Sequence, residues 1–447
     1  MALENKKMFV PLRLVLLFIG LANSLTLPIT GSVLSIWLME SGFDKEAIGL
    51  FALLGIPCSL KILWGPFIDY YCPFFFHSMP RKAWMLISLI GMSLSLILMS
   101  CSAPAESLTS LVVGLFFLST FAGCFCVVGV SYELESQEDT DYSMGSACVT
   151  MGYRLGLLCG GAGALYLSVF CGWLWMLRAM ALILFFGALL ILIRPEPYKS
   201  KGVIEEKRKN FSSSSSLFVF FRELITEPCR LFVQNPLWIS ILILIFTFKM
   251  GDQLVNSMGG LFYLSLGFDK ITLANAAKVW GMAATIVGAA IGGVMFRGAN
   301  LFFAVVIMGL VHACSLVCDC FLAFFGGSIV GLYATVFIEH LTSGMAMVVF
   351  IAFLWRVCDR RYAATQYLLL YSLYSFKGDL FACLGGFLAA VSSWNFFFIL
   401  RLVFSVTAAL LAYRSVYVAH AANRINDDGR GRSNLFFGRK SAQRETN

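Results

Sequence analysis

The sequence predicts an all-α integral membrane protein with 12 transmembrane helices in two six-helix bundles. Composition is the first observation, because 59% of the 447 residues are hydrophobic and only 13% are charged, which is not the balance of a soluble domain. The second is a series of twelve long apolar stretches, and the third is a tetrapeptide that recurs at close to half the chain length. Together they predict a membrane protein built from two similar halves.

The apolar stretches define the predicted helices, since a helix needs about 20 mostly apolar residues to cross a bilayer. Six stretches precede a charged, serine-rich segment and six follow it. They centre near Gly20, Ile56, Ser93, Phe117, Gly156, Ile183, Asp252, Ala284, Val311, His340, Lys377 and Ser405. We therefore expect a six-helix bundle over 1–193, a cytoplasmic linker over 194–235, a second six-helix bundle over 236–417 and a basic cytoplasmic tail over 418–447.

The recurring tetrapeptide indicates internal duplication. Gly42-Phe43-Asp44-Lys45 returns as Gly267-Phe268-Asp269-Lys270, at an offset of 225 residues. Each copy lies between two consecutive apolar stretches. This period is too long for a solenoid repeat, whereas two similar halves are typical of membrane transporters.

The distribution of Lys and Arg predicts that both termini and the linker are cytoplasmic, because loops rich in these residues stay inside. In that orientation only Lys45 and Lys270, of 33 Lys and Arg residues, fall in outer loops. The segment from Glu133 to Asp141 lies inside although it carries five acids and no base, but acids have little weight in this rule. We expect the net charge of +8 to face anionic lipid rather than nucleic acid.

The sequence contains no motif that indicates an enzyme, a metal site or a cofactor site. The fourteen cysteines are scattered, and the two close pairs, Cys124/Cys126 and Cys318/Cys320, have no histidine at ligand spacing. A nucleophile elbow, a Walker loop and a zincin helix are absent from the sequence. We therefore expect no catalysis, no cofactor and no metal. The expected partners of this monomer are a small anionic solute, protons and membrane lipid.

Ionisable residues at membrane depth are the main functional signal. A charged side chain is energetically unfavourable there, so its presence indicates a functional role. The acids are Asp252, Glu339 and Asp379, with Asp69 at a cytoplasmic end. The bases outnumber them and are Lys61, Arg154, Arg178, Lys249, Lys278, Lys377 and Arg401. This excess predicts a positive interior that accepts an anion. For four of the bases, internal pairing or extension to the membrane interface is an equal alternative, and these are Lys61, Lys278, Arg178 and Arg401.

Two spans carry polar stripes with the same helical spacing. In the seventh span, Lys249, Asp252 and Asn256 fall at i, i+3 and i+7, on one face of a helix. The first span has the same spacing, at an offset of 226 residues, in Asn23, Thr26 and Thr30. We expect both stripes to line one central cavity. Hydrogen bonding between helices is the alternative, and it suffices for the first stripe.

In the fifth span, helical geometry separates Arg154 from a ridge of small residues. Gly152, Gly156 and Gly160 recur every four residues, and such a ridge lets a neighbouring helix approach closely. Arg154 points about 200° away from Gly152, at 100° per residue. We expect Arg154, together with Lys249, to pair with carboxylates of the solute. A salt bridge between Arg154 and another span is the alternative.

Two acids are the predicted proton-coupling residues. Glu339 lies near the middle of the tenth span and has no base at i±3 or i±4. A carboxyl group buried without a base can load and release a proton, so we expect Glu339 to be the proton carrier. Asp252 lies one turn from Lys249, and we expect it to orient that lysine.

A series of ordered strings carries a resemblance to a known family. They are Pro28–Ser32, Trp37–Leu38, Ile48–Phe51, Leu60–Pro66, Gly152–Gly156, Phe248–Asp252, Ala284–Gly288 and Cys358–Tyr367. With these strings the chain resembles the AmpG-like muropeptide permeases of the major facilitator superfamily, from about Val15 to Tyr413. The resemblance implies the major facilitator fold, the bacterial inner membrane and proton-coupled import of anhydro-muropeptides from peptidoglycan turnover. It also implies that Tyr367, in the last string, lies at the cavity.

The fourth span departs from the family pattern. The family typically has a Gln-Asp…Asp-Ala-Tyr string there, and this chain keeps only the tyrosine, Tyr132, with no acid between Ser107 and Tyr132. The coupling of transport to protons would then depend on Glu339 or Asp252. Alternatively, the chain carries another anionic solute, such as acyl-CoA or a peptide, or works without protons. A membrane-bound enzyme or receptor is the third class.

Overall fold

The computed structural model describes residues 11–70, 79–101, 108–136, 142–194, 226, 229–234, 237–295, 301–326, 328–358 and 363–430. Over these residues the regular secondary structure is helical throughout. Most of the predicted linker over 194–235 lies outside the described residues, as do residues 137–141 of the acidic loop and the predicted tail beyond residue 430.

The helices of the first half of the chain match the six predicted spans in order. They are α1 Leu12–Thr30, α2 Ser32–Glu40, α3 Lys45–Phe51, a 3₁₀ turn Ala52–Gly55, α4 Ile56–Ser59, α5 Lys61–Tyr70, α6 Pro80–Ser100, α7 Thr109–Ser136, α8 Tyr142–Leu158, a π-helix Cys159–Gly163, α9 Ala164–Cys171 and α10 Trp173–Ile193.

The helices of the second half include interrupted spans as well. They are α11 Trp238–Thr247, α12 Met250–Val255, α13 Gly259–Ser265, α14 Lys270–Leu273, a π-helix Ala274–Trp280, α15 Gly281–Met295, α16 Leu301–Ser315, α17 Val317–Phe325, α18 Ile329–Val357, α19 Ala363–Val391 and α20 Trp394–Arg430. The last helix continues beyond residue 417, where the sequence predicted the end of the second bundle.

Within the described part of the chain, eleven helices are long and apolar enough to cross a membrane. They coincide with every predicted span except the one centred near Lys377. That span is α19, whose 29 residues reach about 44 Å at 1.5 Å per residue. Lys377 and Asp379 lie in its middle and make it less apolar than the others.

The chain packs as two compact units that do not follow the sequence halves. The first unit takes its residues from Met1–Cys229, Gln253–Val279 and Leu368–Phe397, and the second from Arg230–Asp252, Trp280–Tyr367 and Phe398–Asn447. The chain therefore passes from the second unit to the first inside α12. The two bundles bounded at residues 193 and 236 stay a prediction from the sequence.

The repeated tetrapeptide has the same local structure in both copies, because it ends one helix and begins the next. Gly42 and Gly267 have φ values of 88° and 90°, the left-handed conformation that glycine adopts without a steric penalty. In each copy the glycine N–H bonds the carbonyl three residues earlier and the phenylalanine N–H the carbonyl five residues earlier, at 3.0 to 3.3 Å, as at many helix C-termini. Asp44 and Asp269 then occupy the N-cap of the next helix.

The glycine ridge of the fifth span packs against α1, which confirms that part of the sequence analysis. A Cβ atom added at Gly152 would lie 1.8 Å from the Leu17 carbonyl oxygen, and one at Gly160 would lie 2.0 Å from the Leu25 carbonyl oxygen. Only glycine permits so close an approach of two backbones. This contact fixes α8 against α1 in the first unit.

Candidate functional site

The seventh span is interrupted at Lys249, within the second unit. Helix α11 ends at Thr247, and Lys249 has a φ of 53°, a left-handed conformation that is uncommon outside glycine. The prediction of one continuous helical stripe through Asn256 is therefore wrong. The residues at i and i+3 of the stripe are nevertheless in contact, because Lys249 Nζ lies 2.8 Å from Asp252 Oδ2. Lys249 also donates to Ser343 Oγ over 2.5 Å.

Asp252 is the meeting point of three basic side chains. Besides Lys249, His312 Nε2 lies 2.8 Å from Oδ2 and 2.9 Å from Oδ1 of this carboxylate, and Arg401 lies 3.4 Å from Oδ1. The other ring nitrogen of His312, Nδ1, lies 2.9 Å from Thr342 Oγ1. Asp252 therefore connects the interrupted seventh span to α16 and α20, and its partners Lys249 and His312 each bond a residue of α18.

Arg401 holds two further carboxylates in the same unit. Its side chain is 1% exposed, and it bonds Asp319 Oδ2 over 2.6 Å and Glu339 Oε1 over 2.5 Å. The absence of a base at helical spacing from Glu339 had suggested an unpaired carboxyl group. That expectation is wrong, because the base comes from another helix. For Arg401 itself, internal pairing is the alternative that the structure supports.

These side chains form what we call the charged cluster, consisting of Lys249, Asp252, His312, Asp319, Glu339 and Arg401. Three carboxylates face one lysine, one arginine and one histidine. The excess of positive charge expected from the sequence is therefore not found in this cluster. A buried network of this kind is sensitive to the addition of one proton, because Asp319 and Glu339 share the guanidinium group of Arg401.

The first unit contains a separate cavity of about 330 Å³. One member of each predicted stripe lines it, Thr30 from the first span and Asn256 from the seventh. Two charged side chains line it as well, Lys278 and Asp379. The lining also includes Pro28, Ser32, Ser35, Cys58, Ser59 and Ser257.

The remaining predicted residues lie away from the lining of this cavity. Asn23 is half-buried, and its Oδ1 has no hydrogen-bond partner among the described residues. Thr26 is 1% exposed. Arg154 is half-buried and makes no ion pair with any described residue. Tyr367, in the second unit, stacks on Trp355 with ring centroids 4.9 Å apart.

Two members of the charged cluster were not singled out from the sequence. Asp319 was considered only as the residue between two cysteines, although it is an acid inside the apolar span Phe303–Phe325. The rule for ionisable residues at membrane depth would have included it. His312 has a weaker sequence signal, since a single histidine in an apolar span has no motif around it.

The comparisons with known proteins agree with this architecture. The profile described as Major Facilitator Superfamily matches residues 16–378. "Putative transporter AmpG 2" of Rickettsia typhi is 30% identical over 398 residues, which are 89% of this chain and 94% of the relative. "Putative transporter AmpG 4" of Rickettsia felis is 30% identical over 407 residues, 91% of this chain and 97% of the relative.

Solved structures of the same fold cover nearly the whole chain. The nucleoside transporter NupG superposes with a TM-score of 0.69 at 14% identity, over 91% of this chain and 100% of the other. A D-xylose-proton symporter superposes with a TM-score of 0.67 at 13% identity, over 90% and 96% of the two chains. At these identities the likeness shows the fold alone. On the profile match and the near full-length relatives, the chain belongs to the Major Facilitator Superfamily of membrane transporters and is not an enzyme.

Proposed function

We propose that this transporter imports anhydro-muropeptides across the bacterial inner membrane by proton symport. The observation that carries the proposal is the near full-length similarity to relatives named AmpG, together with the ordered strings that resemble the muropeptide permeases. Both termini are cytoplasmic in this proposal, because the basic loops then lie inside.

Basic side chains supply the proposed contacts with the solute. Anhydro-muropeptides carry carboxylates, which basic side chains bind through charge-assisted hydrogen bonds. Arg154 is suited to this role, since it makes no ion pair with a described residue. Lys249 would have to exchange Asp252 and Ser343 for a carboxylate of the solute. Binding at Lys249 would therefore be coupled to the charged cluster.

The charged cluster supplies the proposed coupling group. Glu339 is the carrier in this proposal, and protonation would break its ion pair with Arg401. Arg401 would keep Asp319 and approach Asp252, which also contacts Lys249. A proton on Glu339 and an anion at Lys249 would thus act on the same network. This replaces the fourth-span acid that the family pattern has and this chain lacks.

The alternative is a carrier of another anionic solute, such as acyl-CoA or a peptide. The observation that favours it is the departure in the fourth span, where the sequence has no acid between Ser107 and Tyr132. A carrier with a different solute or without protons would not need that acid.

Uptake into proteoliposomes tests the proposal. The purified protein is reconstituted, and accumulation of labelled anhydro-muropeptide is measured with and without an imposed pH gradient, against empty liposomes. Concentrative uptake that requires the gradient supports proton symport of this solute. Uptake of an acyl-CoA or a peptide from the same panel, without uptake of anhydro-muropeptide, supports the alternative and overturns the proposal.

A further inference from the structure

We infer that the cavity of the first unit is a binding subsite for a zwitterionic group, with Lys278 pairing with a carboxylate and Asp379 with an ammonium group. The inference rests on the proposed function only for the identity of the solute that carries the two groups. It depends on three features of the structure, which are the surroundings of Lys278, the surroundings of Asp379, and the cavity that both line.

Lys278 is a half-buried cation without a carboxylate partner among the described residues. Its Nζ donates to Ser32 Oγ over 2.6 Å, and an ammonium group has three hydrogens to donate. Its aliphatic stem packs against Gly161, where an added Cβ would lie 3.2 Å from Lys278 Cδ. Lys278 also lies in the π-helix Ala274–Trp280, and such segments are frequent at functional sites. The structure thus places the ammonium group of Lys278 at the cavity with no carboxylate of a described residue to pair with it.

Asp379 is a carboxylate without an ion-pair partner among the described residues. Ser59 donates to its Oδ2 over 2.5 Å, whereas a carboxylate can accept about four hydrogen bonds. Its other oxygen, Oδ1, lies 3.0 Å from where a Cβ would be at Gly55, so a larger residue at position 55 would displace it. Two other titratable groups interact with it electrostatically, Lys61 and Cys58.

The cavity is suited to a small polar ligand with two opposite charges. Its volume of about 330 Å³ is at the lower end of the range for small-molecule pockets, roughly 300–1,000 Å³. Hydroxyl and amide groups of Thr30, Ser35 and Asn256 complete the lining. Lys278 and Asp379 are both half-buried, and a charge held away from water without a partner is unfavourable. One ligand with an ammonium and a carboxylate would supply a partner for each of them. The chemical class is therefore an amino acid or a short peptide segment, which a muropeptide contains.

Binding of three matched dipeptides to the full-length protein in nanodiscs tests the assignment. The probes are L-alanyl-L-alanine, its N-acetyl derivative, which keeps only the carboxylate, and its amide, which keeps only the ammonium. We expect the unmodified protein to prefer the zwitterion over either derivative by at least about tenfold, since a hydrogen bond to a charged group contributes that much. If the unmodified protein does not discriminate among the probes, the inference is wrong.

Substitutions then assign each charge. Lys278→Gln should bind the zwitterion no better than the amide, and Asp379→Asn should bind it no better than the N-acetyl derivative. Asp379→Glu should retain part of the preference for the ammonium. The matched controls are Lys45→Gln and Asp44→Asn, which change residues of the same unit that do not line the cavity. If Lys278→Gln and Asp379→Asn lost affinity equally for all three probes, the two residues would have structural roles and the assignment would be overturned.

Two further outcomes separate this inference from the proposed function. If anhydro-muropeptide binds but neither substitution changes the selectivity among the dipeptides, the subsite is wrong and the transport function stands. If the dipeptide pattern is as expected but anhydro-muropeptide does not bind, the proposed solute is wrong and the subsite stands. If Asp379→Asn abolishes gradient-driven uptake without changing probe selectivity, Asp379 is a proton carrier and its assignment to the ligand is overturned.

Discussion

Arg401 donates to Glu339 Oε1 over 2.5 Å and thereby joins α20 to α18, 62 residues earlier in the chain. The same guanidinium group bonds Asp319 over 2.6 Å. One buried arginine thus holds two carboxylates, and a change in the charge of either would alter its position. The first two predictions follow from this arrangement.

Neutralising Glu339 should uncouple transport from the pH gradient. Glu339→Gln keeps the size of the side chain but cannot exchange a proton, so accumulation of substrate under an imposed gradient should fall to the level found without one. Uptake into proteoliposomes measures this, with Glu46→Gln, an exposed acid of α3, as the control. Continued concentration of substrate by Glu339→Gln would exclude Glu339 as the carrier. If the unmodified protein ignores the gradient, there is no coupling to assign.

Removing Arg401 should destabilise the second unit. Arg401→Met leaves Asp319 and Glu339 without their base, and breaking a buried ion pair on one side typically lowers stability by about 3–5 kcal/mol. Thermal unfolding in detergent measures the change. Arg178→Met is the matched control, because Arg178 is half-buried and, among the residues that the structure describes, bonds only Ser100, over 3.3 Å, besides its contact with the Trp175 ring. If the two variants lost equal amounts of stability, the ion pairs of Arg401 would not contribute specifically to the stability of the second unit.

Neutralising Arg154 should weaken the binding of anionic ligands selectively. We expect Arg154→Gln, and separately Lys249→Met, to reduce affinity for the charged ligand by about tenfold or more. Affinity for an analogue with its carboxylates converted to amides should change little. Isothermal titration with both ligands measures the difference. If the neutral analogue lost as much affinity as the charged ligand, a structural salt bridge would be the better account of that residue.

A methyl group on the glycine ridge should disrupt the contact between α8 and α1. In Gly152→Ala the new Cβ would lie 1.8 Å from the Leu17 carbonyl oxygen, so the two backbones must separate. Overpacking of this kind typically lowers stability by about 1–3 kcal/mol. Gly163→Ala is the control, because its nearest atom would be 3.7 Å away. Thermal unfolding should show a loss for Gly152→Ala alone, and similar curves for both variants would contradict the expected clash.

The second copy of the repeated tetrapeptide should face the outside of the cell. In a background with the native cysteines replaced, Asp269→Cys should react with a membrane-impermeant maleimide added to intact cells. Ser433→Cys, in the predicted tail, should react only after the cells are opened. Labelling of position 269 from the cytoplasmic side alone would refute the proposed orientation.

The sequence predicted those features that depend on neighbours along the chain. Composition and apolar length gave the membrane class and the positions of the spans, because both are properties of continuous segments. The packing ridge of Gly152 and the Lys249–Asp252 contact were also predictable, since helical geometry relates residues three or four apart. The resemblance to a family was carried by short continuous strings of residues as well.

The tertiary structure alone decided which charges meet. Glu339 had no base at helical spacing, yet Arg401 reaches it from another helix, together with Asp319, from which it is separated by 82 residues. The interruption at Lys249 divided a stripe that ideal helical periodicity had kept continuous. Lys278 and Asp379 line one cavity although nothing in their spacing connects them. The physical reason is that electrostatic contacts depend on distance in space, which the packing of whole helices sets and the local sequence does not encode.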